Sequence, residues 1–528
     1  MPIFKALVIV LAIGAFVFWW LKPVLLQFTP AADFARRRNL WLFLTCLGFL
    51  SPNIWLYIVV ATPLLLWAGR RDSNPIALYL VLLHVIPPLS FQIPFPGITY
   101  LFEISNYRLL ALCILIPTIG RLRADKSSQQ VRGLQGADLL LLLFGMMQVL
   151  LFVRPDTPTA FLLHDSTTNM LRRAVLFMLD IYVLYFAVSR TCDSRKKIVD
   201  AMAAFCMICC VMALQAVFET LRNWLLYHDM ALQLNPGDVG MRLAYLLRGG
   251  ALRAQVAAGH ALSLGYLLAV AFGFWLYLRP HVESRVKGMA VPVVLWAGLF
   301  AAYSRGPWMG AAAIYFVTVV LNPQAFGRLA RATAVVTVLA GFIALTPLGD
   351  RIMKVLPFIG GSVDAANLDY RHRLADASWD LIVKHPFFGD QDFISKMQQL
   401  RQGQGIIDIV NTYAGTALEY GLVGLGVFVG FMLLCAIKGY GFMRAVRGYD
   451  ADLARLGSCM LACIAGTMLM IYNSSLVFGY EKMFYVLAGL TTAYFRYCAP
   501  PEMSGGKDSK RQGVADEALP PDAATAVS

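Results

Sequence analysis

Long apolar runs recur along this chain from Leu7 almost to its end, and short loops rich in Arg and Lys separate them. A membrane-spanning helix needs about 20 mostly apolar residues, because a helix pairs its own backbone groups across the hydrocarbon. The candidate spans are 5–21, 39–51, 53–69, 75–90, 108–120, 137–153, 171–190, 198–222, 255–279, 288–303, 307–322, 332–347, 411–437, 457–474 and 481–498. The pattern predicts an all-α, polytopic integral membrane protein with roughly 12 to 15 transmembrane helices.

Composition and charge agree with this fold class. Hydrophobic residues make up 59% of the 528 residues and charged residues only 14%, which is less charge than a soluble domain carries. When the spans alternate, the cation-rich loops around Arg36, Arg121, Arg195, Arg328 and Arg444 fall on one side. Short cytoplasmic loops carry such an excess, so we expect that side to be cytoplasmic. The net charge of +14 therefore has a membrane explanation, and nucleic acid is not an expected partner.

One long segment interrupts the alternation of spans and loops. Residues 347–410 contain no spanning run, and parity places this loop on the outer side. Loops of this length are commonly functional, and Leu374, Ala377 and Leu381 recur at the spacing of an amphipathic helix on the membrane surface. We therefore expect four parts: N-terminal transmembrane helices over 1–346, the large outer loop over 347–410, C-terminal transmembrane helices over 411–499, and a disordered cytoplasmic tail over 500–528.

Arginines also occur on the outer side, where the cytoplasmic bias does not explain them. Arg253, Arg305, Arg172 and Arg173 each stand at the outer N-terminus of a predicted span. A helix N-terminus offers free backbone N–H groups and partial positive charge, and the Gly-Pro pair after Arg305 suits close approach of an anion. Two or three such guanidinium groups can clamp a pyrophosphate bidentately. Arginines at span ends also reach toward lipid headgroups, and for Arg172 and Arg173 this alternative stays open.

Four short motifs follow one another around the long outer loop. They are Arg253 with the small and polar residues up to 265, Ser-Arg-Gly within 303–308, His-Pro-Phe-Phe-Gly within 384–389, and 411–413 followed by 419–425. In this order they resemble the motifs of the O-antigen ligase and Wzy-type polysaccharide polymerase superfamily. The resemblance extends over residues 240–440, and the hydropathy of the rest of the chain is compatible with it.

The resemblance implies an inverting glycosyltransferase at the periplasmic face of the bacterial inner membrane, without a metal or other cofactor. The donor would be an oligosaccharide on undecaprenyl pyrophosphate, and an acceptor hydroxyl would displace the lipid pyrophosphate at the anomeric carbon. Arg253 and Arg305 would stabilise the charge of the leaving group, since preorganised guanidinium groups can do this without a metal. The implied partners are the lipid-linked oligosaccharide, membrane lipid and, for a polymerase, a chain-length regulator.

The general base is less clearly indicated. Ligases that this chain resembles usually carry a His where it has Asn411, and an asparagine cannot accept a proton. Asp408 and Glu419 are the candidate bases, because an interface of low dielectric raises the pKa of a carboxyl group. His385 in the loop is an equal candidate for catalysis and for a structural role. The candidate contacts to the acceptor or the loop are Arg371, His372, Arg373, Asn411 and Tyr413.

The missing histidine favours a polymerase that joins repeat units over a ligase that transfers the glycan to a lipid or protein acceptor. A transporter or flippase for lipid-linked glycans is the alternative from another class. It should show charges near the midplane of the membrane and internal repeats. The chain shows no convincing repeat, and its candidate residues gather at one interface, which favours an enzyme. Asp390 and Asp392 form an Asp-x-Asp pair, but no nucleotide-binding fold surrounds it, so a metal site is not expected.

Overall fold

The computed structural model of the chain describes residues 2–94, 96, 100, 102–124, 134–151, 167–235, 243–248, 250–322, 327, 365–401, 407–476 and 479–498. Within these residues nearly all regular structure is helical, and five helices are long and apolar enough to cross a membrane. The predicted all-α, polytopic membrane fold is confirmed. The predicted span 332–347 and the predicted tail 500–528 lie outside the described residues.

The described helices fall into two groups separated by the hairpin that precedes Arg253. The first group consists of α1 (Pro2–Leu25), α2 (Ala31–Leu50), α3 (Ile54–Arg71), α4 (Pro75–Leu82), α5 (Asn106–Leu110), α6 (Ile116–Ala124), α7 (Gly136–Leu150), α8 (Thr167–Phe177), α9 (Val183–Thr191), α10 (Arg195–Arg222) and α11 (His228–Leu234). The second group consists of α12 (Ala261–Leu278), α13 (Arg285–Ala301), α14 (Arg305–Val320), α15 (Ala365–Lys384), α16 (Phe393–Lys396), α17 (Thr412–Val446), α18 (Ala451–Tyr472) and α19 (Tyr480–Tyr497).

Two short antiparallel hairpins complete the regular structure of the described residues. β1 (Phe91–Gln92) pairs with β2 (Glu103–Ile104), and β3 (Leu247–Arg248) pairs with β4 (Ala251–Leu252). Two π-helical turns, Ala111–Leu115 and Met178–Tyr182, link α5 to α6 and α8 to α9. The second hairpin ends immediately before Arg253, so it delivers that residue to the start of the central helices.

Several predicted spans have different boundaries in the structure, and two of these differences bear on the site. The 75–90 span is helical only to Leu82, because Pro87 and Pro88 cannot continue a helix and restrict the residues before them. The 255–279 span begins as a helix at Ala261, where the Nδ1 atom of His260 accepts the backbone N–H of Leu262 at 3.2 Å. The segment before His260 is therefore free to form a separate turn that carries Arg253.

Helices α10 and α12 form the centre of the bundle, and both are buried almost along their whole length. Small residues let the surrounding helices approach closely, as is usual in membrane bundles. A Cβ atom at Gly298 would lie 2.7 Å from the backbone of Ala213, and one at Gly310 would lie 2.2 Å from Met470. We name the site end of the bundle as the end where α12, α14 and α17 begin and α10, α13 and α18 finish.

Buried ion pairs hold the opposite end together. The Arg37 guanidinium lies between Asp72 at 2.7 Å and Asp200 at 2.8 Å, and all three side chains are almost fully buried. Arg190 donates to Asp138 at 2.5 Å, and neither side chain is exposed. Charges buried in a membrane protein require partners of this kind. These residues therefore have a structural explanation and lie far from the site end.

Helix α17 has a kink that the outer loop fills. Gly421 has φ +70° and ψ −173°, which interrupts the helix, and the turn after α15 packs its backbone directly against this glycine. The turn takes over the backbone groups that the kink leaves without helical partners. These bonds join Asp390 N to Leu418 O (2.7 Å), Gln391 Nε2 to Glu419 O (2.7 Å), Leu422 N to Pro386 O (2.7 Å) and Val423 N to Phe387 O (3.3 Å). Because unpaired backbone groups are costly in a membrane protein, this turn and the kink form one structural unit.

Candidate functional site

The segments that carry Arg253 and Arg305 lie against each other at the site end. The backbone N–H of Ala254 donates to the carbonyl of Ala301 at 3.0 Å, and Arg253 Nε lies 3.5 Å from the carbonyl oxygen of Ala302. Arg305 follows Ala302 by a single turn of chain. Two arginines that are far apart in the sequence therefore belong to one neighbourhood.

Backbone strain is concentrated in the same neighbourhood. Among the described residues, the non-glycine residues with positive φ are Asn223 (49°), Leu243 (59°), Val256 (43°) and Tyr303 (44°). Asn223 accepts a hydrogen bond from the backbone of Leu252 at 3.3 Å, and Leu243 donates its N–H to Gly259 O at 3.2 Å. Such conformations persist only where the surrounding structure imposes them, and they collect at functional sites.

Arg305 is the first residue of α14, and its side chain is half-buried. In the described part of the chain, no acidic side chain lies within ion-pair distance of Arg305 and its guanidinium makes no hydrogen bond. The next residue is Gly306, where a Cβ atom would be in ordinary van der Waals contact, 3.6 Å from the Tyr266 hydroxyl and 3.9 Å from Asn473. A cation at a helix N-terminus beside a glycine is a suitable place for an anion.

Tyr266 connects Arg305's helix to the start of α17. Its hydroxyl hydrogen-bonds to Ser474 Oγ and donates to Met470 O at 3.1 Å, and its ring packs on Tyr480 with centroids 4.3 Å apart. The carbonyl of Ser474 accepts from the Thr412 hydroxyl at 2.8 Å. Tyr266 and Ser474 thus fix the N-terminus of α17 next to Gly306.

Asp408 lies just before α17, on the same side of the site as Arg371. Tyr370 holds the Asp408 backbone, since its hydroxyl donates to Asp408 O at 3.2 Å and accepts from Asp408 N at 3.2 Å. The Asp408 side chain keeps contact with solvent, yet the protein around its carboxyl raises its pKa by desolvation, which the Arg371 charge partly opposes. Arg371 also interacts electrostatically with the Tyr266 hydroxyl. The Arg371 charge therefore acts on both the Asp408 carboxyl and the Tyr266 hydroxyl.

Glu419 belongs to a second polar group farther along α17. Its carboxylate lies 3.8 Å from Arg173 Nη1 and accepts the Tyr420 hydroxyl at 2.6 Å. Arg172 lies over the Tyr100 ring at 3.7 Å and donates to the carbonyl of that residue. Glu419 stands about 10 Å along the helix axis from Thr412. The structure thus separates the two candidate bases, and it pairs Arg173 with Glu419 while Arg172 stacks on Tyr100.

His385 lies in the turn that fills the kink of α17. Its Nε2 atom is 3.9 Å from Asp390 Oδ2, and Asp390 is itself bound to Lys396 Nζ at 2.5 Å. Burial would raise the pKa of Asp390, but hydrogen bonds from Lys396 and the Asp392 backbone, together with the Lys396 charge, lower it. His385 therefore lies beside the structural unit of the kink, on the side of Glu419.

A comparison with known families matches residues 290–429 to the family described as O-antigen ligase. Residues 290–429 thus resemble an O-antigen ligase domain. The domain runs from α13 into α17 and contains Arg305, Arg371, His385, Asp408 and Glu419, so the superfamily predicted from the motifs is confirmed. No curated protein matches the chain. The family implies a membrane enzyme that transfers glycosyl groups and acts on lipid-linked glycans.

Arg253 lies before the matched residues of the O-antigen ligase domain but contacts the domain through Ala301 and Ala302. It is also close to His260, the residue that caps α12. Burial and the Arg253 charge lower the pKa of His260 to about 4, so His260 is neutral and can accept its hydrogen bond. The role of His260 is therefore to cap the N-terminus of α12.

The remaining candidate residues of the ligase domain have simpler surroundings. Arg373 pairs with Asp369 at 2.9 Å on the exposed face of α15, and His372 is exposed beside it. Asn411 caps α17, because its side-chain oxygen accepts from Tyr413 N at 2.9 Å and from Ala414 N at 3.2 Å. The Tyr413 hydroxyl donates to Met468 O at 2.8 Å. Asparagine is a preferred N-cap, so Asn411 has a structural use at the start of α17.

The sequence did not point to Tyr266, Ser474 or Glu219 as residues of the site. Tyr266 and Ser474 lie in apolar runs where aromatic and small residues are common, so only the tertiary contacts distinguish them. Glu219 offered a signal, since an acidic residue within an apolar span is costly and therefore informative. Within the described residues, no group of three or more His, Cys, Asp and Glu side chains could hold a metal ion.

Proposed function

We propose that the protein is a polymerase that joins undecaprenyl-pyrophosphate-linked repeat units into an exopolysaccharide or O-antigen chain. The observation that carries this proposal is the half-buried Arg305 at the start of α14, inside the O-antigen ligase domain and next to the segment of Arg253. A lipid pyrophosphate brings charges that two guanidinium groups and a helix N-terminus can bind. The reaction is inverting and uses no metal.

The chemistry is a single displacement at the anomeric carbon of the donor. The oxygen of an acceptor sugar hydroxyl forms a bond to this carbon while the bond from carbon to the pyrophosphate oxygen breaks. Negative charge develops on that leaving oxygen, and Arg253 and Arg305 stabilise it in the transition state. The start of α14 and the turn before α12 fix the backbones of Arg305 and Arg253 before the reaction, so only their side chains have to adjust as the charge appears.

Asp408 receives the proton of the attacking hydroxyl in this proposal. Its carboxyl has a pKa raised by desolvation, and the charge of Arg371 acts on it. A base with a raised pKa accepts a proton more readily at neutral pH while remaining ionised. Glu419 is the second candidate base, supported by its position beside Arg173, but its carboxylate already accepts the Tyr420 hydroxyl.

The site end faces the periplasm in this proposal. The opposite end carries Arg195, which pairs with Asp450 at 3.3 Å, and the cation-rich loop that follows α17. An excess of Lys and Arg in short loops is typical of the cytoplasmic side, so the other end lies outside. The loop helix α15 is then periplasmic, and the lipid-linked donor reaches the site from the outer leaflet.

A ligase that transfers the finished glycan to a lipid or protein acceptor is the second candidate. The description of the matching family favours it, whereas the helix-capping Asn411 at the usual histidine position favours the polymerase. Both reactions use the same donor group and the same leaving group. They differ in the acceptor, which must be identified from the products.

Gel analysis of lipid-linked and surface glycans from cells that lack the gene tests this proposal, with the wild-type gene restored as the control. A polymerase predicts loss of long polymer and accumulation of single lipid-linked repeats on the periplasmic side. Long polymer that stays on its lipid would establish the ligase instead. Repeats retained on the cytoplasmic side would indicate a flippase and contradict both enzymes.

A further inference from the structure

Glu219 is fully buried near the end of α10, and its carboxylate binds two separate loops. One oxygen accepts the backbone N–H of Leu226 at 2.9 Å. The other accepts the backbone N–H groups of Gln255 at 2.9 Å and Val256 at 3.1 Å. Across the described residues, no Lys, Arg or His lies within ion-pair distance of this carboxylate.

This arrangement does not serve the helix that carries Glu219. A carboxylate near the C-terminal end of a helix meets the negative end of the helix dipole, and its burial is costly without hydrogen bonds. Its partners are N–H groups of the loops after α10 and before α12. Glu219 therefore stabilises the conformations of those two loops through its hydrogen bonds.

The loop before α12 contains a strained turn that requires stabilising hydrogen bonds. Val256 has φ +43°, a conformation that is strained for a β-branched residue, and its N–H is one of the groups that Glu219 binds. Without an acceptor at this point, the turn of Val256–Ala258 would lose the bond that keeps it in this shape. Strain of this kind persists only when neighbouring groups enforce it.

Arg253 lies immediately before this strained turn. Its backbone N–H donates to Leu246 O at 2.9 Å, and Thr220, next to Glu219 on α10, donates to Leu252 O at 3.1 Å or to Ala301 O at 3.1 Å. The end of α10 thus contacts the chain on both sides of Arg253. A shift of the turn would move the Arg253 backbone.

We propose that Glu219 is a positioning residue that holds the Arg253 backbone where its guanidinium meets the donor pyrophosphate. The inference rests on the proposed function, since it assigns Glu219 a role only through Arg253. Glu219 does not touch the substrate. Loss of Glu219 therefore slows transfer because it displaces the Arg253 guanidinium from the leaving pyrophosphate. It removes no direct contact between the protein and the substrate.

The test uses Glu219→Gln, alone and combined with Arg253→Ala, in full-length protein reconstituted in lipid vesicles with a lipid-linked oligosaccharide. Glutamine has nearly the same shape, but its amide NH₂ must face at least one of the backbone N–H groups that the carboxylate now accepts. We expect turnover at saturating donor to fall about 10- to 100-fold, because displacements near 1 Å cost this much. In the Arg253→Ala background, Glu219→Gln should cause no further loss.

Asp138→Asn is the matched control, because Asp138 is also a fully buried acidic residue and pairs with Arg190 at the opposite end. It should lower the melting temperature at least as much as Glu219→Gln while leaving turnover per folded molecule unchanged. The inference is overturned if Glu219→Gln keeps normal turnover. It is also overturned if the double variant loses turnover by the product of the two single-variant factors. Normal activity of Arg253→Ala alone would instead contradict the proposed role of Arg253, so the two failures are distinguishable.

Discussion

At the scale of single residues, backbone contacts bring together arginines that the sequence keeps apart. The sequence placed Arg253 and Arg305 at helix starts, because each directly precedes an apolar run. It gave no sign that Ala254 pairs with Ala301, since that bond depends on a strained turn and on Glu219. The distance between two candidate residues is a tertiary property that local pattern does not contain.

The surroundings of the two candidate bases are also tertiary properties that the sequence does not specify. The sequence offers Asp408 and Glu419 as equivalent candidates, because both are carboxyl groups near the start of one helix. The structure places Asp408 with Arg371 and Glu419 with Arg173. Only the folded chain determines which arginine lies near each carboxyl group.

Replacing Arg371 with Ala should move the pH dependence of transfer. Desolvation raises the pKa of Asp408 and the Arg371 charge lowers it, so loss of Arg371 should raise this pKa further. Only the ionised carboxylate accepts a proton, and activity falls as the pH drops through its pKa. The acidic limb of the rate profile should therefore shift to higher pH in Arg371→Ala and shift less in Arg371→Lys.

The measurement is the rate of transfer from about pH 3 to pH 8, which covers both the ordinary carboxyl pKa of about 4 and values raised above it. Asp408→Asn provides the control, because it removes the base and should abolish most of the activity. An unchanged acidic limb in Arg371→Ala would exclude Asp408 as the titrating base. Glu419 would then be the group to examine.

At the scale of elements, apolar periodicity predicted the helices well and their junctions less well. The 457–474 span is close to α18, and the 288–303 span is close to α13, since uninterrupted apolar runs specify helices directly. The helical extension of 411–437 to Val446 and the kink at Gly421 were not predicted. A glycine in an apolar helix is common in membranes, and only the docked turn reveals that Gly421 is a break.

Gly421→Ala should separate the outer loop from α17. Its Cβ atom would lie 2.3 Å from the Phe387 backbone, and φ +70° is unfavourable for alanine. Strain of this type costs about 1–3 kcal/mol, before the lost backbone bonds are considered. The melting temperature should fall, and proteolysis of the loop around α15 should increase.

Gly426→Ala is the matched control, because Gly426 lies on the same helix with no neighbour within 4 Å of its Cβ position. It should leave both the melting temperature and the protease pattern unchanged. Equal behaviour of the two variants would show that the docked turn contributes little to stability. Gly389→Ala should resemble Gly421→Ala, since its Cβ atom would lie 2.4 Å from Leu418 O.

At the scale of the whole molecule, composition and hydropathy were sufficient to predict the class of fold. The two ends of the bundle differ in a way that the loops already indicated: cation-rich loops lie at one end, and the strained backbone with Arg253 and Arg305 lies at the other. The proposed orientation connects this polarity to the membrane, with the site end outside.

Single cysteines test that orientation. Arg373 is exposed on α15, and Arg444 is exposed near the end of α17. A membrane-impermeant maleimide should label Arg373→Cys in intact spheroplasts, whereas Arg444→Cys should react only after the membrane is opened. The opposite pattern would reverse the proposed topology. The wild-type protein is the control, since its described cysteines are buried apart from the partly buried Cys46.

Release of undecaprenyl pyrophosphate by purified protein in lipid vesicles tests the central claim most directly. With a lipid-linked oligosaccharide as both donor and acceptor and a metal chelator present, wild-type protein should release one lipid pyrophosphate per new glycosidic bond and produce a ladder of longer glycans. Arg305→Ala should abolish release while remaining folded, and Arg305→Lys should restore it only in part, because a point charge lacks the planar fork of a guanidinium. Normal release by folded Arg305→Ala protein would contradict the proposal that Arg305 stabilises the leaving group.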